Sequence, residues 1–242
     1  MTGAIILAAG EGKRMKSDIA KVLHEIGGRP MVDYVIDAAK AVEPAKIVLV
    51  VGNRMDQVIA RLHKSRVIFA VQEEQRGTAD AVKTAQLPFS YFEGEIFVLC
   101  GDMPLVRGET LRKMLEFHRA KGSSATVMTG ILDDPAQYGR IVRDSDGEFA
   151  EIVEFADGGE EIRAIKEVNS GTYVFDSVEL WPALEEISSD NVQGEFYLTD
   201  VMTILKRKGK TVAAFIVDDS SELLGVNTPE QLKLAEDALM QR

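Results

Sequence analysis

The sequence predicts an α/β protein built on a Rossmann-like, mostly parallel mixed sheet flanked by helices, with a smaller β-rich half after it. Two observations carry this. Short apolar runs alternate with stretches of helical period from the N-terminus onward, the pattern of strands joined by crossover helices. Beyond residue 130 the segments turn shorter and strand-like, as in antiparallel pairing. In order, residues 4–9 are an apolar run ending at a glycine turn and read as a buried strand. Met31, Val32, Val35, Ile36, Ala39 and Val42 recur at helical spacing, and residues 46–51 form a second apolar strand, which completes a βαβ unit. A helix over 55–63, a strand over 67–71, a helix over 78–85 and a strand over 96–100 continue the alternation, and a parallel sheet follows from it. A helix over 109–120 and a strand over 125–130 come next, then segments 140–143, 149–154 and 167–175, which alternate like antiparallel strands. Helices over 178–187 and 199–208, a strand over 212–217 and a helix from Thr228 close the chain. With no repeat, low-complexity tract or Pro-rich linker, one domain is expected rather than two.

The 242 residues are 45% hydrophobic, enough for a substantial core. Lys and Arg total 28 against 39 Asp and Glu, a net charge of -11 that argues against non-specific binding to nucleic acid or an anionic membrane. Any anionic ligand must therefore be held by a local basic site. Cys100 is the only cysteine, so no intrachain disulfide forms. With His24, His63 and His118 it makes no zinc-like spacing. A reducing cytoplasm is the compartment these features fit, and no signal peptide or membrane span is expected from the apolar runs.

Against this acidic background, Lys13, Arg14, Lys16 and Lys21 crowd the turn Gly10-Glu11-Gly12, with Asp18 the one acid among residues 13–21. A glycine turn after a buried strand can bare its amides, and beside clustered cations it suits a polyphosphate. A dinucleotide loop would want a third glycine, where Met15 stands, and an acid at the end of the second strand, which Val50-Val51-Gly52 lacks. A Walker loop needs four residues between its glycines and a Lys-Ser or Lys-Thr pair, and neither is present. A loop wrapping a nucleoside triphosphate remains, beside the plainer alternative of a tight strand-to-helix turn with solvated charges.

The full string Leu7-Ala8-Ala9-Gly10-x-Gly12-x-Arg14-Met15-x-Ser17, with Lys21-Val22-Leu23-His24 and Gly28-x-Pro30-Met31, resembles the opening of the sugar-1-phosphate nucleotidyltransferases. Within them it is most similar to the N-terminal uridylyltransferase domain of the bifunctional enzyme that makes UDP-N-acetylglucosamine. The resemblance runs on in order through Gln72, Gln75-x-Gly77-Thr78-Ala79, Gly101-Asp102-x-Pro104-Leu105 and Tyr138-Gly139-Arg140-Ile141. It continues through Ile152-Val153-Glu154, Asn169-Ser170-Gly171, Gln193-Gly194-Glu195-Phe196-Tyr197-Leu198-Thr199-Asp200 and Gly225-Val226-Asn227. It implies the nucleotide-diphospho-sugar transferase fold over residues 1–227, with a nucleotide half over about 1–110, a sugar-phosphate half over about 111–227 and a C-terminal helix over 228–242.

The resemblance also implies the chemistry: Mg²⁺-dependent uridylyl transfer from UTP to N-acetylglucosamine-1-phosphate. Arg14 and Lys21 would hold the phosphates, and Asp102 and Asn227 would hold Mg²⁺, a cation that takes one or two protein oxygens beside phosphate and water. Asp102 also follows a buried strand, at the carboxyl end where open α/β sheets bind ligands. Uracil would be read by Leu7, Ala8, Ala9, Gly10, Gln72, Gly77 and Thr78, and the sugar by Gly139, Glu154, Asn169, Tyr197 and Thr199. Local sequence offers a plainer role for several of these. Asp102 suits a turn, and Asn227 suits a cap before Thr228-Pro229-Glu230. Thr78 and Thr199 suit helix caps, Gln72 a surface position and Tyr197 the core. Lys13 and Lys16 read as solvated charges, and His24 and Cys100 as structural.

Three positions depart from the family: Ala20, where a proline usually precedes the lysine, Lys13, where threonine is common, and Cys100 before Gly101-Asp102. The left-handed β-helix domain of the bifunctional enzyme has no counterpart here, so acetyl transfer is not expected, and a monomer or weak dimer is expected in place of the family's trimer. Two other functions fit the same residues: transfer with another nucleotide or phosphorylated acceptor, and silent binding of a nucleotide sugar.

Overall fold

The computed structural model describes residues 1–242. Strand β1 (Thr2–Ala8) leads into the glycine turn and two short 3-10 turns, Lys13–Met15 and Lys21–Leu23. A two-stranded hairpin of β2 (Glu25–Ile26) and β3 (Arg29–Pro30) then feeds α1 (Met31–Lys40). The alternation continues through β4 (Ile47–Val51), α2 (Met55–Leu62), β5 (Ile68–Val71), α3 (Thr78–Thr84), β6 (Glu95–Cys100), α4 (Gly108–Ala120) and β7 (Ala125–Ile131). The remaining strands are β8 (Arg140–Arg143), β9 (Phe149–Val153), β10 (Glu167–Asp176) and β11 (Val212–Ile216). Among them lie α5 (Glu160–Arg163), α6 (Ser177–Leu184) and α7 (Thr199–Arg207), and α8 (Pro229–Met240) ends the chain.

The main sheet runs β11-β7-β10-β6-β1-β4-β5, with β8 against β10 and β9 beyond β8. Strands β6, β1, β4 and β5 are parallel, as the alternation requires. The later strands change this. Strand β10 lies antiparallel between β6 and β7, and β11 pairs parallel with β7. The strand-like segments after residue 130 therefore extend the parallel sheet instead of forming a separate one, which is why the sheet is mixed. The chain runs outward from β1 to β4 and β5, then returns to place β6 on the other side of β1. That reversal opens a crevice beyond the carboxyl ends of β1 and β6, the place where open α/β sheets take ligands.

Side chains alternate across the sheet and build two cores. Ile5, Val48, Val50 and Val98 face α3, α6 and α7. Ala4, Ile6, Leu49 and Leu99 face α1, α2 and α4. Helices on both faces explain why β1 and β4 are almost wholly apolar. A smaller cluster joins Met15, Ile26, Met31, Leu105, Val226 and Ala235. It seats α8 and the β2–β3 hairpin beneath the glycine turn, so the cation-bearing loop has an apolar floor.

Candidate active site

Beyond β1 and β6 lies a cleft of about 260 Å³. Leu7, Ala8, Ala9, Gly10, Gln72, Gly77, Thr78, Lys21 and Asp102, all expected at a site, line it together. The turn is made by Gly12. Its φ of 65° lies in the left-handed region, and a Cβ there would sit 2.8 Å from Lys21 Cβ. Gly10 has no positive φ, and a Cβ would meet no protein atom within 4 Å. The turn itself therefore asks for glycine at 12 only, and the space beside Gly10 opens to the cleft.

Lys21 is the hub of the cationic loop. Its ammonium is ion-paired with the Asp102 carboxylate and donates to Asn227 Oδ1 at 2.7 Å. Arg14 Nη2 donates to the same Asn227 oxygen at 3.0 Å. The segments carrying these acceptors are tied through the backbone, Val226 N–H donating to Asp102 O at 2.9 Å. Asn227 is not the cap of α8. Thr228 fills that role in a capping box with Gln231, which leaves the Asn227 carbonyl oxygen to the cations. The Lys21 ammonium thus lies between the Asp102 carboxylate and the Asn227 carbonyl oxygen. On the outer side of Arg14 and Asn227 a second cavity of about 530 Å³ is lined by Gln137 and Tyr138. Lys13 pairs with Glu11 at the exposed rim and Lys16 is exposed, in keeping with solvated charges.

On the far wall, Gln72 is buried, not a surface residue, and its amide nitrogen donates to Gly77 O at 3.2 Å and Asp80 Oδ2 at 2.9 Å. That leaves its carbonyl oxygen without a protein partner. Thr78 is not the cap of α3; Gly77 occupies the cap position, with φ 121°. The Thr78 hydroxyl accepts from Leu198 N at 3.0 Å, Ala79 N donates to Phe196 O at 2.9 Å, and Phe196 N donates to Arg76 O at 2.8 Å. The segment 196–198 is thus laced to the start of α3. Gln75 and Glu195 also line the cleft. Both stand in motifs of the sequence, yet only this lacing brings them to one wall.

The residues expected at the sugar form a second cluster. Gly139 O accepts from Asn169 N at 2.9 Å, and a Cβ on Gly139 would come within 3.2 Å of Glu154 Oε2. Thr199 caps nothing, since Leu198 holds the cap position of α7; its hydroxyl donates to Glu154 Oε1 at 3.3 Å. Burial pushes the Glu154 carboxyl above its usual value. Asn169 sits at an irregularity in β10, where its Oδ1 accepts from Gly171 N at 2.9 Å and from the Tyr173 hydroxyl at 3.1 Å. Its amide nitrogen has no protein partner. Tyr197 is buried as expected of the core, but its hydroxyl is enclosed and unpartnered, and burial pushes it up to about 12. An enclosed hydroxyl without a partner is uncommon in folded proteins. The Arg140 guanidinium is wholly buried and held by the carbonyls of Pro135, Ala136, Tyr138 and Arg163, which shapes the loop carrying Gly139.

Cys100 joins the two clusters. It lines the cleft, and its Sγ donates to Gly171 O at 3.5 Å. Burial and the nearby Asp102 charge push the thiol up to about 12, so it stays protonated and serves as wall. His24 also behaves as structure, its pKa lowered by burial and by Arg54.

A glycine loop with convergent cations on an α/β sheet has a match among known proteins. The family model for nucleotidyl transferases matches residues 3–222. The chain is 45% identical over 239 residues to the bifunctional protein GlmU of Bacillus licheniformis, covering 99% of this chain and 52% of that protein. It is 48% identical over 240 residues to that of Bacillus velezensis, with the same coverage, and 46% identical over 239 residues to that of Lactobacillus delbrueckii subsp. bulgaricus, covering 98% and 51%. The chain spans about half the length of the curated relatives it matches. With the family match running through β1, the cationic loop and Asp102, the chain belongs to the nucleotidyl transferase family of enzymes.

Proposed function

We propose that this protein transfers the uridylyl group of UTP to N-acetylglucosamine-1-phosphate, forming UDP-N-acetylglucosamine and pyrophosphate with Mg²⁺ as cofactor. The observation that carries this reading is the meeting of Lys21 and Asp102, which line the cleft, with Arg14 and Asn227, which line the cavity beside it. Residues of about 1–110 serve the nucleotide and those of about 111–227 serve the sugar phosphate, the helix of 228–242 bracing both.

In the reaction a non-bridging oxygen of the sugar phosphate forms a bond to the α-phosphorus, and the bond from that phosphorus to the bridging oxygen of the β-phosphate breaks. A phosphate monoester has its second pKa near 6, so the nucleophile is largely ionised at neutral pH and needs no general base. The protein's work is alignment and charge neutralisation. Arg14 faces the departing pyrophosphate and Lys21 the oxygens of the α-phosphate. Two oxygens, one from Asp102 and one from Asn227, already face a cation in Lys21, and such a donor pair suits Mg²⁺. When bound there, the metal would supply further charge neutralisation at the phosphates.

Uracil is read by the unpaired Gln72 carbonyl oxygen and by the backbone of Leu7, Ala8, Ala9, Gly10, Gly77 and Thr78. For the sugar, Glu154 accepts from a hydroxyl, Gly139 allows close approach, Thr199 holds the carboxylate, and the Asn169 amide and Tyr197 hydroxyl supply donors. The test is pyrophosphate release from UTP, CTP, ATP and GTP, each with N-acetylglucosamine-1-phosphate and Mg²⁺. Turnover with UTP alone is expected; turnover with another nucleotide, or tight binding of UTP with no release from any pair, would replace this reading.

A further inference from the structure

We propose that Arg54 and Gln57, at the start of α2, are positioning residues for Lys21. Neither lines the cleft, and both act on the loop that carries Lys21; the proposal rests on the role given to Lys21 above. Five hydrogen bonds run from these two side chains to the four residues before the lysine. Arg54 Nη1 donates to Ser17 O at 2.6 Å and to Ile19 O at 3.0 Å, and its Nη2 reaches Asp18 Oδ1 at 3.4 Å. Gln57 Nε2 donates to Asp18 O at 3.0 Å, while its Oε1 accepts from Ala20 N at 2.8 Å. Beyond these, the stretch has Ile19 N donating to Ser17 Oγ at 3.1 Å, Leu23 N donating to Ala20 O at 2.8 Å, and Ala20 packed in the core. Residues 17–20 lie between two 3-10 turns, belong to no strand or helix, and have only Ala20 buried.

The backbone of Arg54 bears the cost of this arrangement. Its φ is 55° and ψ 34°, a left-handed conformation that non-glycine residues adopt reluctantly. Glycine would sit there with less strain but would bring no guanidinium to the loop. Ala20 is the complementary case. Its φ of -55° is close to the value a proline ring imposes, yet its N–H is the donor to Gln57, which proline could not supply. The loop ahead of Lys21 is therefore held from outside, by hydrogen bonds from α2.

Two opposed effects follow and separate positioning from plain stability. Arg54→Gly relieves the backbone while releasing the loop, so the melting temperature should hold or rise while kcat for uridylyl transfer falls about tenfold, as misplacement of a phosphate-facing group predicts. Gln57→Ala should lower kcat less, and Ala20→Pro added to it should restore most of the loss, because the ring replaces the restraint that the hydrogen bond supplied. KM for UTP should change much less than kcat in each. Amide deuterium exchange of residues 17–21, followed by mass spectrometry, reads the loop without activity: exchange should quicken in Arg54→Gly and Gln57→Ala. Unchanged kcat in Arg54→Gly, loss of activity in step with melting temperature, or unchanged exchange would each overturn the proposal. If wild-type protein transfers no uridylyl group at all, the functional reading fails, and the exchange result still decides whether α2 holds the loop.

Discussion

Lys21 holds the two groups, Asp102 and Asn227, to which the proposed function gives Mg²⁺, so on that reading ammonium and metal compete at one point. Its ammonium neutralises Asp102 and occupies the Asn227 oxygen, so a divalent cation arriving without nucleotide meets a site already balanced in charge. Replacing Lys21 with Met should have two outcomes of opposite sign. Turnover should fall about 100-fold or more, since a charge aimed at the reacting phosphate is lost. Mn²⁺ alone, followed by electron paramagnetic resonance, should bind more tightly than to wild type; weaker metal binding in the variant would contradict the shared position. Much of this was legible in the sequence, because Lys21 and Asp102 lie next to features that announce themselves: a glycine turn after an apolar strand, and a Gly-Asp step after another. What was not legible is who touches whom. Thr78 looked like a cap and instead bonds Leu198, 120 residues away, and Asn227 was freed from capping by its neighbour Thr228. Local sequence prices a side chain against its nearest backbone, and here distant partners won.

The lacing between the start of α3 and segment 196–198 is the joint between the cleft and the Glu154 cluster, which Thr199 touches. Gly77 makes it possible. With φ at 121°, any Cβ there would overlap the Phe196 backbone, including the carbonyl that accepts from Ala79 N. Gly77→Ala should therefore push segment 196–198 away, raising KM for UTP and for the acceptor together and lowering stability by roughly 1–3 kcal/mol. Calorimetry and steady-state kinetics on the one variant check both, and an unperturbed KM for the acceptor would show that the two walls are not coupled. The helices and parallel strands were readable because hydrophobic period encodes them directly. Strand pairing was not. Period two marks β10 as a strand but does not say that it inserts antiparallel between β6 and β7, a long-range choice made by the whole sheet. The β2–β3 hairpin was missed because two residues per strand are too short to show any period.

Taken whole, the protein is an acidic α/β body with one buried histidine, His118, and one half-buried, His24. His118 is buried between α4 and β7, its Nδ1 within 2.8 Å of the Thr126 hydroxyl, and burial lowers its pKa below the ordinary 6.5. His24 is lowered for a like reason. The unfolded chain takes these protons first as pH falls, so their contribution is complete above about 6.5 and is lost as pH drops through the folded values. Burial raises Glu154, Asp200 and Glu222, and these carboxyls act with the opposite sign, favouring the folded state as they protonate at lower pH. The urea midpoint should thus fall between about pH 7.5 and 5.5, with a shallower fall in His118→Asn; equal slopes would remove His118 from the balance. No helix is long and apolar enough to cross a membrane. Cys100, at the end of β6, links the cleft to β10 through Gly171, and the proposed transfer would use both sides of that link.

Phosphorus NMR of UTP with N-acetylglucosamine-1-phosphate and Mg²⁺, run on wild type and on Asp102→Ala, follows the transferred atom itself. Wild type should convert the α-phosphorus of UTP and the sugar phosphate into the paired resonances of a UDP-sugar with equal pyrophosphate, faster than with glucose-1-phosphate, and Asp102→Ala should be slower by about 100-fold or more while remaining folded. A UDP-sugar formed at the wild-type rate by Asp102→Ala, or no transfer by wild type, would contradict the role given to the Lys21, Asp102 and Asn227 cluster.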